Sequence, residues 1–275
     1  MLKKIVLTGA AGRCGSLLRP ALAAMCEELV SSDIADSVDA LAANESYVKA
    51  DLADYAAIAA MMDGVEMVVH FGAIVDEGPF EELLGPNFVG SYNVWESAQK
   101  AGARRIVYAS SIHAVGMHPR QSYIGIDAEH RPDTFYGLAK CFTEDLGRMY
   151  WEKRGIESVH LRILSCAPVK NARALGTWLS DGDLVRLVQR AIDTPTTGFA
   201  VIYGVSDNDR SPVDNAKAAF LGYKPQDNAE QFAEEILASE GAGDPTDLAQ
   251  MVHGGPFGTV ALGKGGAAAA AKGDD

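Results

Sequence analysis

Short apolar runs alternating with amphipathic stretches predict an α/β fold, doubly wound around a parallel sheet. Three observations carry this. Lys3–Leu7 runs as an apolar strand into Thr8-Gly9-Ala10-Ala11-Gly12-Arg13-Cys14-Gly15 and on into a helix through Leu17, Leu18 and Ala21. The runs Glu66–Ala73 and Phe199–Gly204 are almost continuously apolar, as strands covered on both faces must be. The chain of 275 residues, 48% of them hydrophobic, is ample for one sizeable core.

In the opening turn Gly9 can take dihedrals closed to other residues. Gly12 lets the backbone approach a phosphate, and Gly15 lets the new helix pack close. The helix N-terminus adds free N–H groups and a positive dipole end suited to a pyrophosphate. Gly9, Gly12, Arg13, Cys14 and Gly15 are therefore candidate cofactor contacts. The spacing G-x-x-G-x-x-G also fits a plain tight turn, so it carries little alone. The helix is expected to reach about Cys26. The second strand, Glu28–Asp33, ends on an acidic residue about 20 positions past the loop, where an adenosine ribose would be met. Asp33 can accept from both ribose hydroxyls and would repel a 2′-phosphate. No Arg or Lys follows in Ile34-Ala35-Asp36, so NAD is expected rather than NADP.

A third strand, Ser46–Asp51, brings Asp51 and Leu52 to where an adenine edge could lie. Asp51 could equally cap a helix Tyr55–Met62. The fourth strand ends in Gly72 and Ala73, small enough to leave room for a cofactor. His70, within that run, reads as a core histidine. A helix from Glu82 to Ala101 carries Asn87 and Asn93, expected against neighbouring strands, with Trp95 in the core. The fifth strand, Arg105–Ala109, runs into Ser110-Ser111. Right-handed crossovers place these strand ends on one edge of the sheet, where ligands bind.

After a loop from Ile112 to Asp133, Thr134-Phe135-Tyr136-Gly137-Leu138-Ala139-Lys140 opens a helix to about Trp151. Residues four apart share a helix face. A phenol is a poor base at neutral pH, and a neighbouring ammonium group with an oxidised nicotinamide would lower its pKa. With Ser111 as second donor to the reacting oxygen, Ser…Tyr-x-x-x-Lys makes a site for matched loss of proton and hydride. Tyr136, Lys140 and Ser111 are the candidate catalytic residues.

Thr177–Ser180 starts a helix to about Ile192, Phe199–Gly204 is a further buried strand, and Asp214-Asn215 opens a short helix Ala216–Leu221. Gln226–Leu237 is amphipathic and is expected at the rim. Residues 1–262 read as one NAD-binding domain, with substrate-binding elements mainly in 165–262. The Gly/Ala-rich stretch 263–275 reads as a flexible tail. The net charge of −13 disfavours nucleic acid and anionic membranes. No apolar run approaches the roughly 20 residues of a membrane span, and the N-terminus shows no leader pattern. Cys14, Cys26, Cys141 and Cys166 are scattered and form no metal pattern, so reduced thiols, no metal and a cytoplasmic protein are expected.

The chain resembles the extended short-chain dehydrogenases/reductases, and among them the bacterial uronate dehydrogenases. The resemblance lies in TGAAGRCG, HFGAI, NFVGSYNVWESA, ASSIHAVG, FYGLAKCFTEDLGRMY, RILSCAP, ARALGTWLS and FLGYKPQDNAEQF. It implies a Rossmann fold with a small C-terminal substrate-binding part. It also implies NAD-dependent oxidation of a hexuronic acid at C1 to the aldarolactone. Tyr136 would be the base, Lys140 its electrostatic partner and ribose anchor, and Ser111 the second donor. Ser165 and Arg173 match residues that bind the sugar acid, with Arg173 as carboxylate clamp, and His113 and Phe257 match further pocket residues. Two positions depart: Val75 stands where the family usually has serine, and Ile112 where it usually has asparagine. Losing both polar contacts leaves open a less hydroxylated sugar acid or alcohol, unless Asp76 or Glu77 compensates. An NAD-retaining epimerase or dehydratase is a further alternative, against which the short second half argues, and a non-catalytic regulatory protein on this fold another. A homo-oligomer is expected.

Overall fold

The computed structural model describes residues 1–241, 243, 244 and 246–268. Its strands are β1 (Leu2–Thr8), β2 (Cys26–Asp33), β3 (Glu45–Lys49), β4 (Met67–His70), β5 (Arg105–Tyr108), β6 (Ile124–Gly125), β7 (Glu157–Ile163), β8 (Phe199–Gly204) and β9 (Val213–Asp214). Seven of them form one sheet in the order β3-β2-β1-β4-β5-β7-β8, while β6 and β9 pair separately. All pairings are parallel. The chain winds outward from β1 to β3, then crosses back to β4. Neighbouring strands at that reversal send their connections to opposite faces, which opens a crevice at their carboxyl ends.

Strand alternation distributes the core. Ile5 and Leu7 of β1 face the helices Arg13–Ala23 and Asp181–Asp193, meeting Leu18, Leu22, Leu184 and Val188. Val6 faces the other layer, where Val68 and Ile106 meet Ile58, Val94, Trp95 and Leu146. That layer is built from the helices Tyr55–Met61, Gly90–Lys100 and Phe135–Arg154. His70 is buried there, its Nδ1 2.7 Å from the Thr8 hydroxyl, as the apolar run implied.

Several expected elements change shape. The first helix ends at Ala23, and Cys26 opens β2 instead. Asp54, not Asp51, caps the next helix by accepting from Ala57 N–H at 3.1 Å; Asp51 accepts from Ala53 N–H one turn earlier, at 2.9 Å. The expected helix 82–101 is three pieces: Phe80–Leu83, a π turn Leu84–Val89, and Gly90–Lys100. Pro86 has no N–H to give to an α-helical ladder, and the chain widens around it. Asn87 and Asn93 serve loops, not strands: Asn87 bonds Ile74, and Asn93 donates to the Leu52 carbonyl. The loop after Ser111 contains a 3₁₀ turn, Ile112–Val115, and β6. The rim segment is a 3₁₀ turn, Ala229–Phe232, leading into the helix Ala233–Glu240. Residues 263–268 of the expected flexible tail are seated by hydrogen bonds to Asp76 and Glu77; residues 269–275 lie outside the described residues. Among the described residues no helix is long and apolar enough to cross a membrane, and no acidic, His or Cys cluster could hold a metal ion.

At the far end of the sheet, Arg105 clamps β5 to β7. Its Nε and Nη2 donate to Glu157 at 2.9 and 2.5 Å, and its Nη1 donates to the Ala191 and Ile192 carbonyls at 2.8 and 3.0 Å. The other Glu157 oxygen accepts from the Thr197 and Gly198 amides. Removing one member of such a buried pair strands the other. Arg105→Met is expected to lower the unfolding free energy by about 3–5 kcal/mol in urea titration, with cofactor affinity of the folded fraction retained.

Candidate active site

A cavity of about 840 Å³ occupies the crevice at the carboxyl edge. Every residue expected to touch cofactor lines it: Gly9, Gly12, Arg13, Cys14, Gly15, Asp33, Asp51, Leu52, Gly72, Ala73, Tyr136 and Lys140. So do Val75, Ser111, His113, Ser165 and Phe257. Ile112 and Arg173 are not among its walls.

The dinucleotide end is shaped by close backbone approach. Gly9 sits at φ +76°, and a Cβ there would lie 2.5 Å from the Gly72 nitrogen; at Gly15 it would lie 2.0 Å from the Gly9 carbonyl oxygen. No side chain fits either place. The loop therefore nests against β4 while Gly12, at the N-cap of the helix, faces the cavity. Asp33 closes the end of β2, where one carboxylate oxygen accepts from Ala11 N–H at 2.9 Å and the other from Ala35 N–H at 3.2 Å. These walls fit NAD: a glycine cradle at a helix N-terminus for the pyrophosphate, and a carboxylate where the ribose would sit. Arg13 spans the loop to the end of β7, donating to the Cys166 carbonyl at 2.8 Å and pairing with Asp181 at 2.7 Å. Asn87 holds the opposite wall by bonding both backbone groups of Ile74, at 2.8 and 2.9 Å.

The hydride-transfer end converges as the spacing implied. Thr134 caps its helix by accepting from Gly137 N–H, which places Tyr136 and Lys140 on the buried face of the first turns. Lys140 Nζ donates to the Ala109 carbonyl at 2.8 Å and stands 5.1 Å from the Tyr136 ring centre. Burial acts on both. It pushes the Tyr136 phenol above its ordinary value, with the Ser111 hydroxyl beside it pulling the other way. It draws the Lys140 ammonium down to about 7, with Glu144 opposing. Burial thus disfavours the charged form of each group, and a bound oxidised nicotinamide would pull the phenol back toward its phenolate.

Beneath this pair lies Glu144, one helical turn past Lys140. It accepts from the Ser110 hydroxyl at 2.5 Å and from Arg162 Nη2 at 2.7 Å, and His130 Nε2 stands 2.9 Å away. Burial raises its pKa, but the His130 contact and the Arg162 guanidinium outweigh it and hold the carboxyl well below the usual range. On the substrate side, His113 Nδ1 meets Asp133 at 2.7 Å, and its ring stacks on Phe257 with centres 3.9 Å apart. Sequence reasoning passed over Glu144 and Asp133, and it read Glu77 as a possible sugar contact where both of its oxygens accept from backbone amides. Only Glu144 left a signal, four residues past Lys140 on the same helix face.

Two expected substrate contacts, Ile112 and Arg173, lie behind the cavity wall. Ile112 is buried with Val115, Tyr203, Val205 and Val213 in a small core of its own. The asparagine-to-isoleucine departure therefore fills a core instead of stripping a polar wall. Arg173 donates to the carbonyls of Val252 and His253, behind the loop that carries Phe257. Burial lowers its guanidinium to about 9, Arg120 adds to that, and Asp133 opposes it.

The NAD dependent epimerase/dehydratase family matches residues 5–168 of the chain. The uronate dehydrogenase of Pseudomonas putida is 43% identical over 257 residues, covering 92% of this chain and 95% of that protein. The uronate dehydrogenase of Agrobacterium fabrum is 42% identical over 257 residues, covering 93% and 97%. A crystal structure of a mutant uronate dehydrogenase from Agrobacterium tumefaciens, complexed with NAD, superposes with a TM-score of 0.90 at 41% identity. That match covers 95% of this chain and 98% of the other.

Asp33→Asn exchanges a double acceptor for a group with one acceptor and no charge. It is expected to weaken NAD binding about tenfold and to narrow the gap between NAD and NADP, both read by fluorescence titration.

Proposed function

We propose, from the premise that the chain belongs to the NAD dependent epimerase/dehydratase family, that it oxidises a hexuronate of the glucuronate or galacturonate type at C1 to the aldarolactone. It is an NAD-dependent oxidoreductase acting on a CH–OH group. The observation that carries the reading is the convergence of Ser111, Tyr136 and Lys140 on one cavity with Asp33 and the glycine loop.

The residues divide the work. Ser111 and Tyr136 hold the C1 hydroxyl between them, and the Tyr136 phenol oxygen takes its proton. Lys140, fixed by the Ala109 carbonyl, stabilises the phenolate and anchors the ribose. NAD, when bound, supplies the hydride acceptor. His113, braced by Asp133 and Phe257, and Ser165 at the end of β7 meet the ring hydroxyls. Arg173 clamps the carboxylate. In support, it is a buried guanidinium with no carboxylate within ion-pair distance among the described residues, and its burial in that state disfavours the charge. Binding exchanges two carbonyls for an anion, a stronger partner for the planar fork. Val75 alone remains as a departure in the cavity wall, and it is 59% exposed, so it removes at most one polar contact.

Val89, Tyr92, Leu138, Phe142 and Met149 lie exposed on the π turn and the helices Gly90–Lys100 and Phe135–Arg154. They support pairing of two copies across this face. All four cysteines are thiols, which supports a reducing, cytoplasmic setting.

Purified protein with NAD and glucuronate or galacturonate is expected to produce NADH. Tyr136→Phe should lower kcat about 10²–10⁴-fold, and Arg173→Met should raise the KM for uronate. Because the phenol is raised, oxidation depends on losing its proton: the rate should climb about tenfold per pH unit on the acid side of its profile. Turnover of a less polar alcohol with none of a uronate would overturn the substrate, and a rate that does not rise with pH on the acid side of the profile would overturn the base.

A further inference from the structure

The loop after β4 carries two carboxylates that the reaction does not use. Glu77 is 3% exposed, and both of its oxygens are taken. One accepts from the Tyr136 amide at 3.1 Å, inside the first turn of the catalytic helix; the other accepts from the Gly263 amide at 2.8 Å. Asp76 accepts from the Gly266 and Ala268 amides, each at 3.0 Å. Its Oδ1 also accepts from the Glu77 amide at 2.8 Å, which fixes the pair relative to each other. Carboxylates that accept backbone N–H groups make strong, directional bonds, and Glu77 also sits at a helix N-terminus where negative charge is favoured.

These bonds place the chain's late residues against the chemistry. Ala267 is 3% exposed and packs with Tyr136 and Phe257. Ala268 lines the cavity, as does Val75, immediately before the two carboxylates. One short loop thus supplies a wall of the cavity, a cap for the helix of Tyr136, and the attachment for a segment nearly 190 residues downstream.

We propose that Asp76 and Glu77 are positioning residues for the oxidation: they seat residues 263–268 as a strap over the sugar-acid end of the cavity, and Glu77 ties that seating to the placement of Tyr136. The proposal deepens the hexuronate reading and rests on it only for the identity of the substrate. The strap closes the apolar side of the substrate end and leaves the dinucleotide end alone. Its loss should therefore weaken substrate binding without weakening NAD binding.

The test uses full-length Asp76→Ala, Ala268→Pro and their double variant. Ala268→Pro removes one of the two amides of the late segment that Asp76 accepts from, and it leaves both carboxylates in place. Asp76→Ala is expected to raise the KM for uronate about tenfold, while kcat and the KM for NAD stay within about twofold. Ala268→Pro should move the same constant in the same direction. The double variant should be no worse than Asp76→Ala, because both changes break one attachment. Glu77→Gln turns an amide donor toward one of its two N–H partners and should lower kcat as well. Hydrogen exchange at Gly266 and Ala268 should be slow in the wild type and faster in Asp76→Ala, a readout that needs no substrate. An unchanged KM for uronate, a KM for NAD that rises equally, multiplicative singles, or unchanged exchange at those amides would each overturn the proposal. If the wild type turns over no uronate but the exchange result holds, the substrate reading fails and the seating of the strap stands.

Discussion

The candidate active site depends on a buried ion pair that does not line its cavity. Glu144 and Arg162 are both almost fully buried, and their contact joins the Phe135–Arg154 helix to β7. The same carboxylate holds Ser110 at the end of β5 and His130 from the loop between. Each partner is a near neighbour of a site residue: Ser110 precedes Ser111, Glu144 is one turn past Lys140, and Arg162 is three residues before Ser165. The pair thus fixes in register the three elements that must converge. Breaking it would leave a charge in the core, which is far more damaging than losing a surface pair. The sign of its pH linkage follows. The Glu144 carboxyl is depressed in the folded protein, so its stabilisation is present above the ordinary carboxylate range and is lost as pH falls through the folded value.

Above that foundation, desolvation sets the chemistry. The cavity wall that raises the Tyr136 phenol also lowers the Lys140 ammonium. Neither group is at its ordinary value, and the effects have one cause, so a change in burial shifts both. The close contact of the Gly9 loop with Gly72 fixes the other end of the cavity. It leaves the distance between cofactor end and proton-transfer end as a property of backbone, not of flexible side chains.

The fold was legible because a doubly wound sheet writes its strands as apolar runs and its ligand edge as glycines and acids. Asp33 and the Tyr136–Lys140 pair could be read from spacing, since a turn-plus-strand distance and a helical repeat are local geometry. What escaped reading is long-range or irregular. The π turn at Leu84–Val89 follows from Pro86 within an otherwise helical pattern. Asp133, Glu144 and Glu77 act through partners 18 to 186 residues away, and such pairings leave no periodic trace. Ile112 shows the complementary limit: similarity places a residue in a motif, but the direction of its side chain depends on what packs behind it. The Gly/Ala composition of 263–268 hid its attachment because the bonds come from its backbone amides, which composition does not show.

The central claim is that hydride leaves C1 of a hexuronate while Tyr136 takes the hydroxyl proton. The most direct measurement is the fate of deuterium placed at C1 of glucuronate. The account predicts that the label appears on NADH in equal amount to an aldarolactone seen by carbon NMR, with a slowed rate for the labelled sugar. Unlabelled NADH, or a converted sugar that keeps its deuterium with no net NADH, would contradict it.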